Sequence, residues 1–209
     1  MRVAFFGGTF NPIHIGHLIS AIEIKEYFFI DKFVFIPTGV PPHKKNLSLS
    51  AKDRYDMVAL SISGFEGFEV SDIEINSTKI SYTVDTIDLL KKQYKDSELF
   101  YCIGADAFLD IDTWKSYKEL LNKITFIIIT RPKYSIEQIK SKYNWLKFIE
   151  ARKMAKYPPR ELSAYIYYRK IDISSSQIRR RVKEHKTIRY FVPYSVEKMI
   201  LEKGFYLNE

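Results

Sequence analysis

The chain has a single cysteine among its 209 residues, so it cannot form an internal disulfide. Cys102 stands in an apolar run, where core packing is its expected role, and its isolation fits a reducing cytosol. The chain also lacks an apolar run of 18 residues, and its first apolar run ends at Phe6, too early for a signal peptide. We therefore expect a soluble, cytoplasmic protein with no membrane partner.

The chain has fewer acidic than basic residues, which gives it a net charge of +8. This charge favours anionic partners such as nucleotides or nucleic acid. The length suits one domain over residues 1–209, with 172–209 as a C-terminal subregion. The basic run Arg179–Arg181 with Lys183, Lys186 and Arg189 leaves an RNA-binding module open, but no RNA-binding signature accompanies it. We expect no nucleic-acid partner, and an oligomer remains open.

Histidine is scarce, yet two of the four histidines stand three residues apart directly after a glycine pair. Residues 2–6 form an apolar, β-prone run, and Gly7 and Gly8 let the backbone turn and approach a ligand. From Ile15 to Phe29 apolar residues recur at helical spacing, which puts His14 and His17 on one face at the start of a helix. Free N–H groups beside two imidazoles predict a phosphate site.

A zinc site is not expected here. Only His43, His185 and Cys102 remain as further ligands, and none has a ligand-like spacing. The plainer alternative is that both motif histidines only cap and pack the helix, but the flanking glycines and proline favour the phosphate site.

Strands and helices alternate along the first two thirds of the chain. The expected strands after the first are Lys32–Pro37, Phe68–Ser71, Glu98–Ile103 and Thr125–Thr130. This alternation predicts an α/β fold with a doubly wound parallel sheet, which binds ligands at the carboxyl ends of its strands. The residues at those ends are Gly7–Gly8, Pro37–Gly39, Gly104–Asp106 and Arg131.

Serines mark several expected helix starts. Ser50 and Asp53 resemble a capping box for a helix to about Ser61, with Arg54 facing out of the first turn. Further helices are expected after residue 81, in a stretch with Trp114 and Leu120–Leu121 that leads to the strand at 125, from Ser135 to about Trp145, and from 195 to about 203 before Gly204. Pro158–Pro159 should break the chain, and residues 164–170 have strand character.

A second candidate phosphate site lies at residues 172–181. Ser174, Ser175 and Ser176 place hydroxyl groups at a helix start, and Arg179 adds a fixed positive charge inside it. An ordinary capped basic helix would give the same pattern.

The string at residues 7–17, Gly-Gly-Thr-Phe-Asn-Pro-Ile-His-Ile-Gly-His, resembles the phosphate-binding signature of the nucleotidyltransferase superfamily. The run Ile-Ser-Ser-Ser-Gln-Ile-Arg resembles the second signature of small adenylyltransferases, and no KMSKS-like loop of a class I synthetase is present. Together with residues 41–44, 81–86, 103–106 and 113–114, these motifs resemble the bacterial nicotinate mononucleotide adenylyltransferases. Two departures are Asn11, where the family often has Asp, and Ser176, where it usually has Thr.

The resemblance implies adenylyl transfer from ATP to nicotinate mononucleotide, with Mg2+ carried by ATP. It implies that His14, His17 and Arg179 act in catalysis. It assigns ATP binding to those three residues with Gly7, Gly8, Thr9, Phe10, Gly104, Asp106, Ser174, Ser175 and Ser176. It assigns the second substrate to Lys44, Thr83, Asp85 and Trp114. The open alternative is an enzyme for nicotinamide mononucleotide, or for both mononucleotides.

Nicotinate mononucleotide is favoured over nicotinamide mononucleotide, because Thr83 stands near an expected helix start. The N–H donors of that helix start suit a pyridine carboxylate. Trp114 is expected either to stack on the pyridinium ring or to pack in the core. For Asp85 the plainer alternative to substrate binding is a cap of its helix. His43 and Lys44 could reach the mononucleotide phosphate or be solvated loop residues.

Overall fold

A computed structural model describes residues 1–40, 47–77, 80–130, 135–151, 164–167 and 171–208. Its centre is a seven-stranded sheet in the order β3-β2-β1-β4-β5-β7-β6. Every neighbouring pair of strands is parallel. The strands are β1 (Arg2–Gly8), β2 (Lys32–Pro37), β3 (Phe68–Val70), β4 (Glu98–Gly104), β5 (Thr125–Ile129), β6 (Phe148–Glu150) and β7 (Ala164–Tyr167).

The helices cover both faces of this sheet. They are α1 (Ile15–Tyr27), α2 (Ala51–Ile62), α3 (Thr83–Gln93), α4 (Ala105–Leu109), α5 (Tyr117–Lys123), α6 (Ile136–Lys142), α7 (Ser175–Lys183) and α8 (Tyr194–Glu202), with a 3-10 turn at Ile111–Thr113.

Two apolar clusters lie on opposite sides of the sheet, because successive strand residues point to opposite faces. Ala4 and Phe6 of β1 pack in one cluster with residues of α1, α2, α7 and α8. Val3 and Phe5 pack in the other cluster with residues of α3, α4, α5 and α6. Burial on both faces explains why the strands are continuously apolar instead of alternating.

The expected doubly wound parallel sheet is confirmed. The strand at Lys32–Pro37 has the expected bounds, and Ser50 caps α2 by accepting from the Asp53 N–H at 3.0 Å. Gly204 follows α8 with a φ of +63°, as expected of a residue that ends a helix. Strand β6 was not expected, because three residues carry too little periodicity to be recognised.

Three expectations are wrong in detail. Helix α1 ends at Tyr27, and Phe29, expected in its apolar pattern, has a φ of +51° and is 54% exposed. The helix after Ser135 ends at Lys142 instead of near Trp145. Arg54 does not face outward but is 1% exposed, because its guanidinium donates to main-chain carbonyl groups inside the fold.

Cys102 occupies the middle of β4 and is fully buried, which agrees with a packing role. Burial raises the pKa of its thiol. Within the described part of the chain, the helices are all too short or too polar to span a bilayer. Pro158–Pro159 and Arg131 lie outside the described residues.

Candidate active site

A cavity of about 1590 Å³ opens at the carboxyl ends of β1 and β4. These two strands are neighbours in the sheet, and β2 and β5 flank them on opposite sides, so the strand order reverses direction between them. Parallel sheets bind ligands at such a switch point. Small-molecule pockets usually measure roughly 300–1,000 Å³, so this cavity has room for two nucleotide-sized ligands.

The floor of the cavity is a close contact between Gly7 and Tyr101. A Cβ on Gly7 would lie 2.8 Å from the Tyr101 Cζ atom and still closer to its hydroxyl oxygen. Burial raises the pKa of the Tyr101 phenol, and a hydrogen bond with Thr83 opposes part of that rise. The phenol is therefore neutral, and its ring occupies the space that a side chain on residue 7 would need.

His14 and His17 form a reciprocal pair of capping hydrogen bonds at the start of α1. The His17 N–H donates to the His14 Nδ1 atom at 3.3 Å, and the His14 N–H donates to the His17 Nδ1 atom at 3.3 Å. The rings stack with centroids 3.6 Å apart. Because Nδ1 of each ring accepts a hydrogen bond, each neutral imidazole carries its proton on Nε2. Both histidines line the cavity, so this pair can offer N–H donors to an anion.

The start of α7 is fastened to the loop after β1. Ser174 caps α7 by accepting from the Gln177 N–H at 3.2 Å. Ser175 Oγ donates to the Pro12 carbonyl at 2.8 Å, and Arg179 donates to the Asn11 carbonyl at 2.8 Å. Two regions more than 160 residues apart in sequence thus form one wall of the cavity, together with Ser176.

Asn11 has a structural reason to be an amide. Its side chain is buried, and the Tyr206 hydroxyl donates to its Oδ1 atom at 2.8 Å. Its Nδ2 atom donates to Ser48 Oγ at 3.2 Å. An ionised aspartate could accept from both the Tyr206 and the Ser48 hydroxyls, but it would lose the donor that the amide supplies and would bury a charge. The amide therefore links the loop after β1 to both the C-terminal segment and the segment before α2.

The opposite end of the cavity is formed by the starts of α3 and α4. Thr83 is the first residue of α3, and Tyr82, which precedes it, makes no side-chain hydrogen bond to the first turn in the described structure. The N–H groups of Asp85 and Thr86 donate to the Tyr82 carbonyl, so the donors that the start of α3 can offer to a ligand are the N–H groups of Thr83 and Val84. Gly104 ends β4 and precedes α4, and a Cβ on it would collide with the Asp106 carboxylate. Trp114 lines the same end and packs partly against the core, while stacking on a pyridinium ring stays a prediction.

Asp85 lies beside this end rather than in the cavity wall. Its carboxylate is exposed and pairs with Lys115 Nζ at 2.9 Å. The same ammonium lies 4.7 Å from the centre of the Tyr82 ring. Lys115, not Asp85, is among the residues that line the cavity.

The structure brings together most of the residues selected from the sequence. Those that line the cavity are Gly7, Gly8, Thr9, Phe10, His14, His17, Thr83, Gly104, Asp106, Trp114, Ser174, Ser175, Ser176 and Arg179. Phe10 is also a core residue, 2% exposed, so only its main chain suits a phosphate. His43 and Lys44 lie outside the described residues.

Sequence reasoning missed several residues of the cavity wall, among them Glu74, Tyr101, Asp110 and Lys115. Glu74 is buried, and Thr86 Oγ1 donates to its Oε1 atom at 2.8 Å. Burial is the main cause that raises the pKa of the Glu74 carboxyl. No local pattern marks these residues, although a tyrosine in an apolar strand that ends in glycine could have drawn attention to Tyr101. Among the residues that the structure describes, no three His, Cys, Asp or Glu side chains cluster as a metal site.

Comparison with known proteins gives consistent matches over the whole chain. A family model described as cytidylyltransferase-like matches residues 5–181. A relative from Desulfatibacillum aliphaticivorans, named a probable nicotinate-nucleotide adenylyltransferase, is 41% identical, and the match covers 99% of this chain and 100% of the relative. A relative of the same name from Thermus thermophilus is 35% identical, with 99% and 100% covered.

A solved structure has the same fold. It is the Plasmodium falciparum nicotinic acid mononucleotide adenylyltransferase complexed with NaAD, which superposes with a TM-score of 0.75. The match covers 98% of this chain and 97% of that one, with 20% identity. At this identity the likeness supports the architecture, not the roles of individual residues.

The contact between Gly7 and Tyr101 gives a test of this site. Gly7→Ala should lower the free energy of unfolding by roughly 1–3 kcal/mol, because the new methyl group overpacks against the phenol. In a Tyr101→Phe background the same substitution should cost less, because the nearest atom is gone. Denaturant unfolding of the four proteins in this cycle measures both costs. Equal costs in the two backgrounds would contradict the contact.

Proposed function

The chain belongs to the cytidylyltransferase-like family and, within it, to the nicotinate-nucleotide adenylyltransferases, and from that membership we propose how it joins ATP to nicotinate mononucleotide. The reaction yields deamido-NAD and pyrophosphate, a step of NAD biosynthesis. The observation that carries the proposal is that both phosphate motifs and the start of α3 line one cavity with room for two nucleotides.

The phosphate half of the cavity would hold ATP. The Nε2–H groups of His14 and His17 and the main chain of residues 7–10 are donors suited to its phosphate oxygens. Ser174 and Ser176 would hold the β- and γ-phosphates with their hydroxyl groups, Ser175 would do so with its main-chain N–H because its hydroxyl donates to Pro12, and Arg179 would balance the charge. Ser174 accepts the capping bond with its oxygen, so its own proton can still be donated to phosphate.

The chemistry needs no general base. A phosphate oxygen of nicotinate mononucleotide, already an anion at neutral pH, attacks the α-phosphorus of ATP. A new P–O bond forms, the bond between the α-phosphorus and the bridging oxygen breaks, and pyrophosphate leaves with that oxygen. The protein contributes alignment and stabilises the charge that spreads over the phosphoryl oxygens. His14, His17 and Arg179 are the residues to which we assign this stabilisation.

Magnesium would enter as part of the MgATP substrate. It prefers phosphate oxygens and retained waters, and it is usually bound through one or two carboxylates instead of a full protein cage. Asp106 and Asp110 line the cavity and are carboxylates of this kind. We also expect the adenosine ribose beside Gly104, where a ribose hydroxyl could donate to the Asp106 carboxylate.

The base would bind at the start of α3. Main-chain N–H groups near Thr83 can donate to a pyridine carboxylate, while the amino group of an amide would bring a donor against donors. Trp114 offers a face to the cationic ring. Lys115 adds positive charge at the same end, although its ion pair with Asp85 offsets part of it. For Lys44 we retain the prediction of mononucleotide binding.

The substrate preference follows from this arrangement. With ATP and magnesium, pyrophosphate release should be much faster with nicotinate mononucleotide than with nicotinamide mononucleotide, because the acid presents two charged acceptor oxygens to the start of α3 while the amide presents one neutral acceptor and a donor. A coupled pyrophosphate assay with both substrates in parallel measures the ratio of kcat/KM. Equal values would contradict the role of α3, and no release with either substrate would contradict the function itself.

His17→Ala tests the phosphate site. We expect kcat/KM to fall roughly 10²–10³-fold, the usual effect of removing one donor to a developing negative charge. The fold should remain, because the half-buried His17 side chain contributes one capping bond and edge contacts with Phe6 and Phe10, while the core around those rings stays in place. His185→Asn is the control, since His185 is exposed with a φ of +52° that asparagine tolerates. Turnover of His17→Ala at the rate of this control would contradict the assignment.

A further inference from the structure

Arg54 is a buried cation with an unusual set of partners. It lies in α2 and is 1% exposed. Its Nη1 atom donates to the Thr9 carbonyl at 2.8 Å, and its Nη2 atom donates to the carbonyls of Thr38 at 2.6 Å and Gly39 at 3.2 Å. Arg54 itself is absent from the residues that line the cavity, while Thr9 and Thr38 are among them. The guanidinium therefore lies behind the cavity wall and binds the main-chain carbonyls of the residues that form this wall.

A buried guanidinium usually faces a carboxylate. Within the described residues no carboxylate lies within ion-pair distance of Arg54, and Glu74 acts on it only through space. Burial lowers the pKa of Arg54, yet arginine stays charged in proteins. Its Nε atom has no hydrogen-bond partner in the described structure, so a desolvated charge is retained without full compensation.

The carbonyls that Arg54 binds belong to two loops with different tasks. Thr9 follows β1, in the loop assigned to ATP, while Thr38 and Gly39 follow β2. The two loops also meet directly, because the Thr38 N–H donates to the Gly8 carbonyl at 2.9 Å. A shift of the guanidinium would therefore move both walls of the cavity.

The loop after β2 leads on to the base end. The Ser81 N–H donates to the Val40 carbonyl at 3.0 Å, and Val40 forms a bridge with Ile80 just before α3 begins. Gly39 packs so closely on the Glu74 main chain that a Cβ would lie 2.8 Å from the Glu74 carbonyl carbon. Arg54 is thus connected through residues 38–40 to the segment that opens α3.

We propose that Arg54 is a positioning residue, which fixes the distance between the ATP loop after β1 and the mononucleotide side of the cavity. It touches neither substrate and acts through the carbonyls of Thr9, Thr38 and Gly39. The proposal rests on the adenylyl transfer assigned above. Reacting groups misplaced by about 1 Å can lose roughly a hundredfold in rate, so a donor that sets the spacing of two loops affects turnover strongly.

The test compares Arg54→Lys with Arg2→Lys. Lysine keeps the charge at residue 54 but cannot bridge two loops with a planar fork. Arg2 is the control, because it lies at the amino end of β1, away from the cavity at the carboxyl ends. There it donates to the Phe28 carbonyl at 3.0 Å and pairs with Glu98 at 2.9 Å. Arg54→Gln, which removes the buried charge and retains an amide donor, is the second variant if the lysine variant does not fold.

For each protein, kcat and both KM values are measured below the unfolding transition, together with the midpoint of thermal unfolding. We expect a folded Arg54 variant to lose roughly tenfold to a hundredfold in kcat/KM for ATP and for nicotinate mononucleotide. Arg2→Lys should lower the unfolding midpoint while its kinetic constants stay within about twofold of the wild type. An inactive wild type would instead contradict the proposed function.

Two outcomes would overturn the inference. The first is a folded Arg54 variant with the kinetic constants of the Arg2→Lys control, which would make Arg54 a purely structural residue. The second is loss of the fold in both Arg54 variants, which would show that the guanidinium holds the domain together rather than setting the spacing of the two loops.

Discussion

The carbonyl groups of the loop after β1 are held by side chains from distant helices. Arg54 of α2 binds the carbonyl of Thr9, Arg179 of α7 binds that of Asn11, and Ser175 binds that of Pro12. A parallel sheet leaves such groups unsatisfied where its strands end, and buried main-chain groups need partners. These bonds bring α2 and α7 to the carboxyl edge of β1, and the cavity lies where they converge.

The helices α1, α3, α4 and α7 start at this cavity, and the caps of α1, α7 and α3 differ in a way that suits different ligands. In α1 the cap is an imidazole, which accepts the His17 N–H through its Nδ1 atom and lies in the cavity wall. In α7 the cap is the Ser174 hydroxyl, which can still donate its own proton. In α3 no side-chain cap is present in the described structure, so the first main-chain N–H groups, those of Thr83 and Val84, are the donors that a ligand could meet. The first two suit phosphate, and the third suits the carboxylate of a pyridine base.

The sequence was sufficient for the architecture and for most of the cavity wall, because both follow from local patterns. The strand at Lys32–Pro37 is apolar along its length, and the motif residues follow strands or begin helices. The sequence was insufficient for Arg54, because a charged residue in a first helical turn normally faces solvent and its three carbonyl partners are 15 to 45 residues away. It missed Tyr101 for the same reason, since only the folded sheet places that phenol against Gly7.

The central claim is that the triphosphate of ATP binds between the histidine pair and the start of α7. A crystal structure of this chain with a non-hydrolysable ATP analogue tests it most directly. We predict phosphate oxygens within about 3.2 Å of the Nε2 atoms of His14 and His17, and of donors at Ser174–Ser176. A triphosphate bound at the start of α3, or outside the cavity, would contradict the account.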